Sequence, residues 1–194
     1  MITPTTITNF NRTEEELEEF LMFAILVAGK GAEQQAKKLQ SFLWLLVNGF
    51  GHPKNSTPFE LLQYAINSNQ LEYTMMVCKL GQYRRIGHAF TEILKFKGNL
   101  KNVTIEELES ISGIGSKTAR FFILHSRPDA NVAVLDTHIL KWMNEQGYKN
   151  IPKATPPKKK YTEIEKLFLQ EAIRHQMTPA DLDLTIWKSY ATKA

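Results

Sequence analysis

Apolar residues recur at helical spacing along most of the chain, and no stretch shows the strict alternation of a half-buried β-strand. This pattern predicts an all-α protein without internal repeats. Helices are predicted at about residues 14–29, 32–48, from 58 onward, 71–79, 84–97, 105–111, 116–125, 137–146, 161–176 and 179–192. One apolar face is clear within residues 32–48, where the sequence places Leu39, Phe42, Leu43, Leu46 and Val47.

Threonines precede three of the predicted helices, and a glutamate follows each of them three residues later. A threonine at the N-cap accepts a hydrogen bond from the first turn, and the glutamate binds back to the cap. The three pairs are Thr13 with Glu16, Thr57 with Glu60, and Thr104 with Glu107. They predict helix starts near residues 14, 58 and 105, the second strengthened by Pro58 at the first helical position.

A tight turn, Ser112-Gly113-Ile114-Gly115, separates the short helix at 105–111 from the helix at 116–125. The two glycines allow backbone conformations that are closed to residues with a Cβ, and they allow another backbone to approach closely. The free N–H groups at the start of the second helix lie at the positive end of its dipole. The turn therefore predicts a phosphate-binding hairpin, with Lys117 in the first turn of the second helix.

Lys117 is a candidate nucleophile, because the positive end of a helix disfavours the ammonium form and favours the free amine. Taken alone, it could equally be an exposed surface lysine. Asp136 is a candidate partner 19 residues later, directly before the helix at 137–146. An aspartate there is also a preferred N-cap, and a carboxylate held in that way is suited to stabilise a developing cation.

The segment Ile111-Ser112-Gly113-Ile114-Gly115-Ser116-Lys117, followed by Leu135-Asp136-Thr137-His138, resembles the helix-hairpin-helix DNA glycosylase superfamily that includes endonuclease III. The family hairpin has Leu-Pro-Gly-Val-Gly-x-Lys and then Val-Asp-x-His, so a serine replaces the proline here. The resemblance implies that Lys117 and Asp136 are catalytic. It also implies DNA contacts by the hairpin and its flanks, with a monovalent cation on the carbonyls of Ser112 and Ile114. The expected DNA-binding residues are Gly113, Gly115, Ser116, Arg120, His138, Lys141 and Lys30.

Three further stretches are similar to the archaeal type of 8-oxoguanine DNA glycosylase/AP lyase: residues 29–33 (GKGAE), residues 117–121 (KTARF) and residues 183–187 (DLTIW). The similarity implies that Phe121 and Trp187 sandwich an extruded base, while Asp183 accepts hydrogen bonds from the base edge. Two aromatic faces replace the stacking that a flipped base loses. The alternatives are that both aromatics belong to the core and that Lys30 lies in an ordinary turn after a helix C-cap.

Charge is distributed unevenly, although the net charge is only +4. Residues 1–29 hold one arginine against five glutamates, whereas residues 112–160 hold nine lysines or arginines against three acidic residues. The basic region thus coincides with the hairpin, as a DNA-binding face would. Lys158, Lys159 and Lys160 follow a proline-rich segment and could instead be a solvated run in a linker.

Cys78 is the single cysteine, which excludes a disulfide framework and the four-cysteine iron–sulfur cluster that many endonuclease III relatives carry. No redox cofactor or catalytic metal is expected. The sequence shows neither a charged leader followed by an apolar segment nor a run of eighteen apolar residues. We therefore expect a soluble intracellular protein, in the cytoplasm or nucleoid or in the cytoplasm of a virus-infected host.

These observations predict one glycosylase unit over residues 1–194 with two helical subdomains. Residues 20–136 would form the central subdomain, with the hairpin at 105–125, and residues 1–19 with 137–194 would form the other. The expected protein is a monomer that excises 8-oxoguanine from double-stranded DNA and nicks the strand, without membrane contact. Three alternatives stay open: a glycosylase for an oxidised pyrimidine, a base-modifying transferase on the same scaffold, and a non-catalytic DNA-binding hairpin protein.

Overall fold

The computed structural model describes residues 2–191, with the backbone alone for Ala191. Within these residues the regular structure is entirely helical, and the all-α prediction is confirmed. No helix in this range is both long and apolar enough to cross a membrane. A 3-10 helix at Pro4–Thr6 precedes ten α-helices: α1 Glu14–Leu26, α2 Ala32–Asn48, α3 Pro58–Asn67, α4 Leu71–Val77, α5 Tyr83–Ile93, α6 Ile105–Ser110, α7 Ser116–Ser126, α8 Thr137–Glu145, α9 Lys158–Arg174 and α10 Pro179–Ala191.

The three threonine–glutamate pairs form complete capping boxes at the starts of α1, α3 and α6. At α6, for example, Thr104 Oγ1 accepts from the Glu107 N–H at 3.1 Å, while the Glu107 carboxylate accepts from the Thr104 N–H at 2.7 Å. Each box satisfies two backbone donors that a helix start otherwise leaves unpaired. These predicted helix starts are confirmed.

Other boundaries differ from the prediction. Lys158, Lys159 and Lys160 form the first turn of α9 rather than a linker, with Pro157 in extended conformation as the N-cap. The helix α1 ends at Leu26, and Gly29 adopts a left-handed φ of +72° in the turn that follows. The 3-10 helix was not predicted. The predicted end of the last helix, Thr192, lies outside the described residues.

The chain divides into two compact units. The first comprises the residues up to Ile7 together with Asn11–Gly115, and it includes α1–α6. The second comprises Thr8–Phe10 and the residues from Ser116 onward, and it includes α7–α10. This division differs from the predicted subdomains of 20–136 and of 1–19 with 137–194, because α1 packs with α2, α3 and α5 while α7 packs with α10.

The helix α1 is the centre of the first unit. Every residue from Phe20 to Leu26 is buried, so the helix is apolar on all sides of its second half. Helices α2, α3 and α5 pack around it. Glu14 and Glu18, near its start, accept hydrogen bonds from the backbone N–H groups of Leu100 and Phe59, both at 2.9 Å. The first helix thereby fixes the connections that lead into α3 and α6.

The helix α10 has the corresponding position in the second unit, where it packs against α7, α8 and α9. Leu182 and Ile186 place one of its faces in the core. The same face carries Asp183, which is only 7% exposed. The rest of this core is apolar and comes mainly from α8 and α9, including Leu135, Ile139, Leu140, Met143, Tyr161, Ile164 and Phe168.

Candidate active site

The hairpin turn requires a glycine at position 113. Gly113 has a φ of +98°, and a Cβ there would lie 2.7 Å from the Cβ of Ala89 on α5. The turn is closed by the Ile114 N–H, which donates to the Ile111 carbonyl at 3.0 Å, and the Ile114 side chain is buried. Gly113 thus supplies both the backbone conformation and the close packing on α5 that the sequence predicted.

Gly115 and Ser112 are exposed on the same turn. Apart from its two chain neighbours, no described residue has an atom within 4 Å of a Cβ built on Gly115, so packing does not require a glycine there. Ser112, which replaces the proline of the family hairpin, has its Oγ 2.7 Å from His88 Nε2 on α5. A side-chain hydrogen bond therefore fixes this turn, and sequence reasoning did not identify His88.

Lys117 lies in the first turn of α7 and is half-buried. Asp136 is the N-cap of α8: its Oδ1 accepts from the N–H groups of His138 and Ile139, both at 2.9 Å. The N-cap interpretation is confirmed, and it leaves the carboxylate half-buried in a fixed orientation. Both residues belong to the second unit.

Asp183 is the third charged group of this region. Its Oδ2 lies 3.2 Å from Nε2 of the fully buried His125 on α7. Burial raises the pKa of the Asp183 carboxyl, and the His125 hydrogen bond opposes that rise. The charge of Asp136 also raises this pKa, while Lys117 lowers it. The structure therefore brings Lys117 and Asp136 close enough to Asp183 to influence its carboxyl electrostatically.

The two predicted stacking residues are half-buried. Phe121 packs beside Leu124 and Val134, and its ring lies edge-on to His125 with the centroids 5.0 Å apart. Trp187 follows Asp183 by one helical turn on α10. Neither aromatic is fully buried. Their contact with a flipped base stays a prediction.

Arg120 has a different environment from the one predicted. It is 7% exposed, and its Nε donates to Glu165 Oε1 at 2.8 Å. Its guanidinium also lies over the Tyr161 ring, 4.6 Å from the centroid. Because a guanidinium held in this way is inside the second unit, the structure replaces the predicted phosphate contact with an internal ion pair. Sequence reasoning did not identify Glu165.

His138 and Lys141, both predicted DNA contacts, share a partner on α10. The His138 ring stacks on Tyr190 at 5.8 Å between centroids, and Lys141 Nζ lies 5.0 Å from the same ring. The Tyr190 hydroxyl donates to Glu145, and burial together with this bond raises its pKa to about 12. Lys141 is exposed and available to a phosphate. Tyr190 was not predicted.

Lys30, in the first unit, donates from Nζ to the Leu80 carbonyl at 2.6 Å. This bond ties the turn after α1 to the turn between α4 and α5. Burial lowers the pKa of Lys30, and the charges of Arg85 and Lys38 lower it further. The structure thus assigns Lys30 a role inside the first unit, and its DNA contact stays a prediction.

Comparison with known protein families gives a match over most of the chain. A family profile described as 8-oxoguanine DNA glycosylase matches residues 5–177, which include the hairpin, Lys117 and Asp136. The chain belongs to the 8-oxoguanine DNA glycosylase family. The resemblance inferred from the hairpin motif is therefore confirmed.

Two curated members of the 8-oxoguanine DNA glycosylase family match about half of this chain. The 8-oxoguanine DNA glycosylase/AP lyase of Methanocaldococcus jannaschii is 31% identical over 113 residues, covering 56% of this chain and 54% of its own. The protein of the same name from Thermotoga sp. strain RQ2 is 29% identical over 121 residues, covering 54% of this chain and 58% of its own. The matches span about half the length of these relatives.

Solved structures of this glycosylase family cover more of the chain. The M. jannaschii 8-oxoguanine glycosylase/lyase in complex with a 15mer DNA containing 8-oxoguanine covers 95% of this chain and 85% of its own, with a TM-score of 0.70 and 27% identity. The 8-oxoguanine DNA glycosylase of Thermotoga maritima covers 90% and 79%, with a TM-score of 0.68 and 26% identity. These similarities confirm the helix-hairpin-helix glycosylase fold.

Proposed function

We propose that this protein is a bifunctional DNA glycosylase/AP lyase that excises 8-oxoguanine from double-stranded DNA. The observation that carries the proposal is the grouping of Lys117 with two carboxylates, Asp136 and Asp183, in one helical unit. Family membership supports the reaction class. The relative from M. jannaschii, whose DNA complex contains 8-oxoguanine, supports the substrate.

In the first step the Lys117 amine attacks C1′ of the extruded nucleotide. The bond from C1′ to the base breaks, and the base leaves with its electron pair and takes up a proton. The sugar becomes cationic as this bond lengthens, and Asp136 stabilises that charge. Its capping bonds to His138 and Ile139 hold the carboxylate in place, so little reorganisation is needed as the charge develops.

In the second step the amine nitrogen loses its proton and the sugar ring opens, which leaves a Schiff base between Lys117 and C1′. Removal of a proton from C2′ then expels the 3′ phosphate by β-elimination and nicks the strand. Asp136, whose charge acts on the Asp183 carboxyl as that of Lys117 does, assists these proton transfers.

The flipped base is held by the half-buried aromatics and by Asp183. Stacking between Phe121 and Trp187 contributes about 1–3 kcal/mol per stacked base. Asp183, one helical turn before Trp187, accepts hydrogen bonds from N–H groups on the base edge. Stacking on the two aromatic rings would hold a flipped purine. The Asp183 acceptor would favour a base that presents N–H groups on the facing edge.

The DNA backbone is held by residues that follow one another along the chain. The hairpin glycines and the first N–H groups of α7 receive one phosphate, as helix N-termini do. His138 and the exposed Lys141, both on α8, receive another. These contacts position the protein without selecting a sequence.

Borohydride trapping tests the nucleophile. DNA with an 8-oxoguanine or an abasic site should give a covalent adduct with the wild-type protein, because borohydride reduces the Schiff base. Lys117→Gln should abolish this adduct. Lys101→Gln, which removes an exposed lysine before α6, is the matched control and should leave trapping unchanged. Undiminished trapping in Lys117→Gln would remove Lys117 as the nucleophile, and no adduct even with the wild-type protein would exclude the lyase reaction.

A further inference from the structure

His125 contacts two of the three residues proposed to hold the base, although it belongs to none of the family motifs. It lies in the last turn of α7 and is fully buried. Its Nε2 is 3.2 Å from Asp183 Oδ2, and its ring meets Phe121 edge-on at an interplanar angle of 66°. A buried imidazole thus links the acceptor on α10 to the aromatic on α7.

The other side of this imidazole is bound by the N-terminal segment. Thr8 Oγ1 lies 2.8 Å from His125 Nδ1, and the Asn9 N–H donates to the His125 carbonyl at 3.1 Å. The first of these bonds connects residues 117 positions apart in the sequence. Thr8 therefore fixes the rotation of the ring, which in turn aims Nε2 at Asp183.

The charge of Asp183 decides which groups donate and which accept in the hydrogen bonds that link Thr8, His125 and Asp183. An ionised carboxylate can only accept, so His125 must then donate through Nε2–H. A protonated Asp183 would instead donate to Nε2, and the imidazole proton would move to Nδ1. The Thr8 hydroxyl can serve either arrangement, because it both donates and accepts. Burial favours the protonated carboxyl, and the His125 bond opposes it.

We propose that His125 is a positioning residue that keeps Asp183 ionised and oriented as a hydrogen-bond acceptor in the base pocket, with Thr8 holding the imidazole. The inference rests on the proposed function, in which Asp183 accepts from the base. A protonated Asp183 would use its O–H toward His125, and its remaining oxygen would be a neutral acceptor, which binds the N–H groups of the base more weakly than a carboxylate does.

Charged and titratable groups from three neighbouring helices act on Asp183. His125 and Lys117 on α7 stabilise its ionised form, and Asp136 at the start of α8 opposes it. On α9, the pKa of the Tyr161 hydroxyl is raised by burial and also by the charge of Asp183, so Tyr161 lies close to that carboxyl. Because Lys117 and Asp136 oppose each other, loss of His125 should leave burial as the dominant influence and raise the pKa of Asp183 further.

The pH profile of base excision tests this role. In His125→Phe the ring is kept but the donor is lost, so the acid limb of the 8-oxoguanine excision profile should move to higher pH. Excision on that limb should fall about tenfold for each unit of displacement. His125→Gln retains a side-chain N–H donor and should return the limb toward its wild-type position. Cleavage of a preformed abasic site should be unchanged in both variants, since no base is held there.

Thr8→Val provides a second variant with a nearly unchanged shape. It should move the acid limb in the same direction by a smaller amount, because the donor remains but its orientation is less fixed. A limb that stays in place in both His125→Phe and Thr8→Val overturns the inference. So does a parallel loss of excision and abasic-site cleavage in His125→Phe, which would mean that His125 only supports the fold.

The protonation of the imidazole gives a result that does not depend on the reaction. Nitrogen-15 spectra of the DNA-free protein should show a proton on His125 Nε2 at neutral pH. An unprotonated Nε2 overturns the inference, even if the enzyme is active. If the wild-type protein excises no 8-oxoguanine, the proposed function fails, while the Nε2 proton still supports the link between His125 and Asp183.

Discussion

Asp136 combines a structural and a chemical role in one carboxylate. Its Oδ1 caps α8 by accepting two backbone hydrogen bonds, and the same group is proposed to stabilise the cationic sugar. Asparagine caps helices about as well as aspartate, but it carries no charge. A single pair of substitutions can therefore separate the two roles.

We predict that Asp136→Asn lowers 8-oxoguanine excision by about two orders of magnitude while the melting temperature stays close to that of the wild type. Asp136→Ala should lower both, since loss of the cap costs about 1 kcal/mol of stability. Single-turnover excision and thermal unfolding measure the two effects. Full activity in Asp136→Asn would show that the carboxylate only caps the helix.

Individual site residues were predictable where a local motif specifies them. Lys117 and Asp136 follow from the hairpin and from a helix start, both of which are visible over a few residues. Arg120 was misassigned because sequence gives the charge of a side chain but not its burial. Its partner, Glu165, lies 45 residues away. His125 was missed for the same reason, because Thr8 and Asp183 are its partners from distant parts of the chain.

Helix α9 supports the segment that leads into Asp136. The Tyr161 hydroxyl donates to the Ala133 carbonyl at 2.8 Å and accepts from the Leu135 N–H at 3.0 Å. Glu165 Oε1 accepts from the Ala133 N–H at 3.0 Å. These side chains give residues 133–135 the backbone partners that a neighbouring strand would otherwise supply.

We predict that Tyr161→Phe destabilises the protein by about 1–3 kcal/mol, because it leaves the buried Ala133 carbonyl and Leu135 N–H without this partner. Chemical denaturation measures the change. Tyr73→Phe is the matched control: Tyr73 is 62% exposed, so removal of its hydroxyl should alter the free energy of unfolding very little. Equal effects of the two substitutions would mean that the Tyr161 hydroxyl contributes nothing beyond an exposed one.

Helix starts were predicted well where side chains cap them, as in α1, α3 and α6. The start of α9 was not. Lys158, Lys159 and Lys160 follow a proline-rich segment and were interpreted as a possible solvated run in a linker. Lysines in a first turn are also unfavourable beside the positive end of the dipole. Pro157 nevertheless has the extended conformation of an N-cap, and the buried Tyr161 anchors the first turn in the core. Tertiary packing outweighs the local preference.

For the whole molecule, the charge distribution is more informative than the net charge of +4. Arg120 does not belong to the exposed basic surface, since it is paired internally with Glu165. Lys141 is exposed beside His138's stacking partner, Tyr190. Lys159 is exposed as well, but in the first turn of α9. Substitution of each lysine in turn can therefore show whether the DNA-binding surface lies around α8 or around α9.

We predict that Lys141→Gln weakens binding to any DNA sequence about equally and reduces the salt dependence of the binding constant, by a slope of about one. Lys159→Gln should have a smaller effect. Affinity measured against salt concentration, with two unrelated duplexes, tests both. A larger loss with Lys159→Gln would move the DNA-binding surface from α8 to α9.

The division into two units could not be predicted because it depends on contacts that are distant in sequence. The helical pattern shows where helices begin and which face is apolar, but it does not show which helices share a core. The segment Thr8–Phe10 belongs to the second unit although the residues on either side of it belong to the first. Its bonds to His125 are contacts of this kind.

This connectivity sets an order of events during protein synthesis. Thr8 is made 117 residues before its partner His125. At about 5–20 residues per second, the N-terminal segment waits roughly 6–23 s before that bond can form. By then Asn11–Gly115 have all been translated. Asp183 is made 58 residues after His125, so the bond between them, which is proposed to position the acceptor for the base, forms later still.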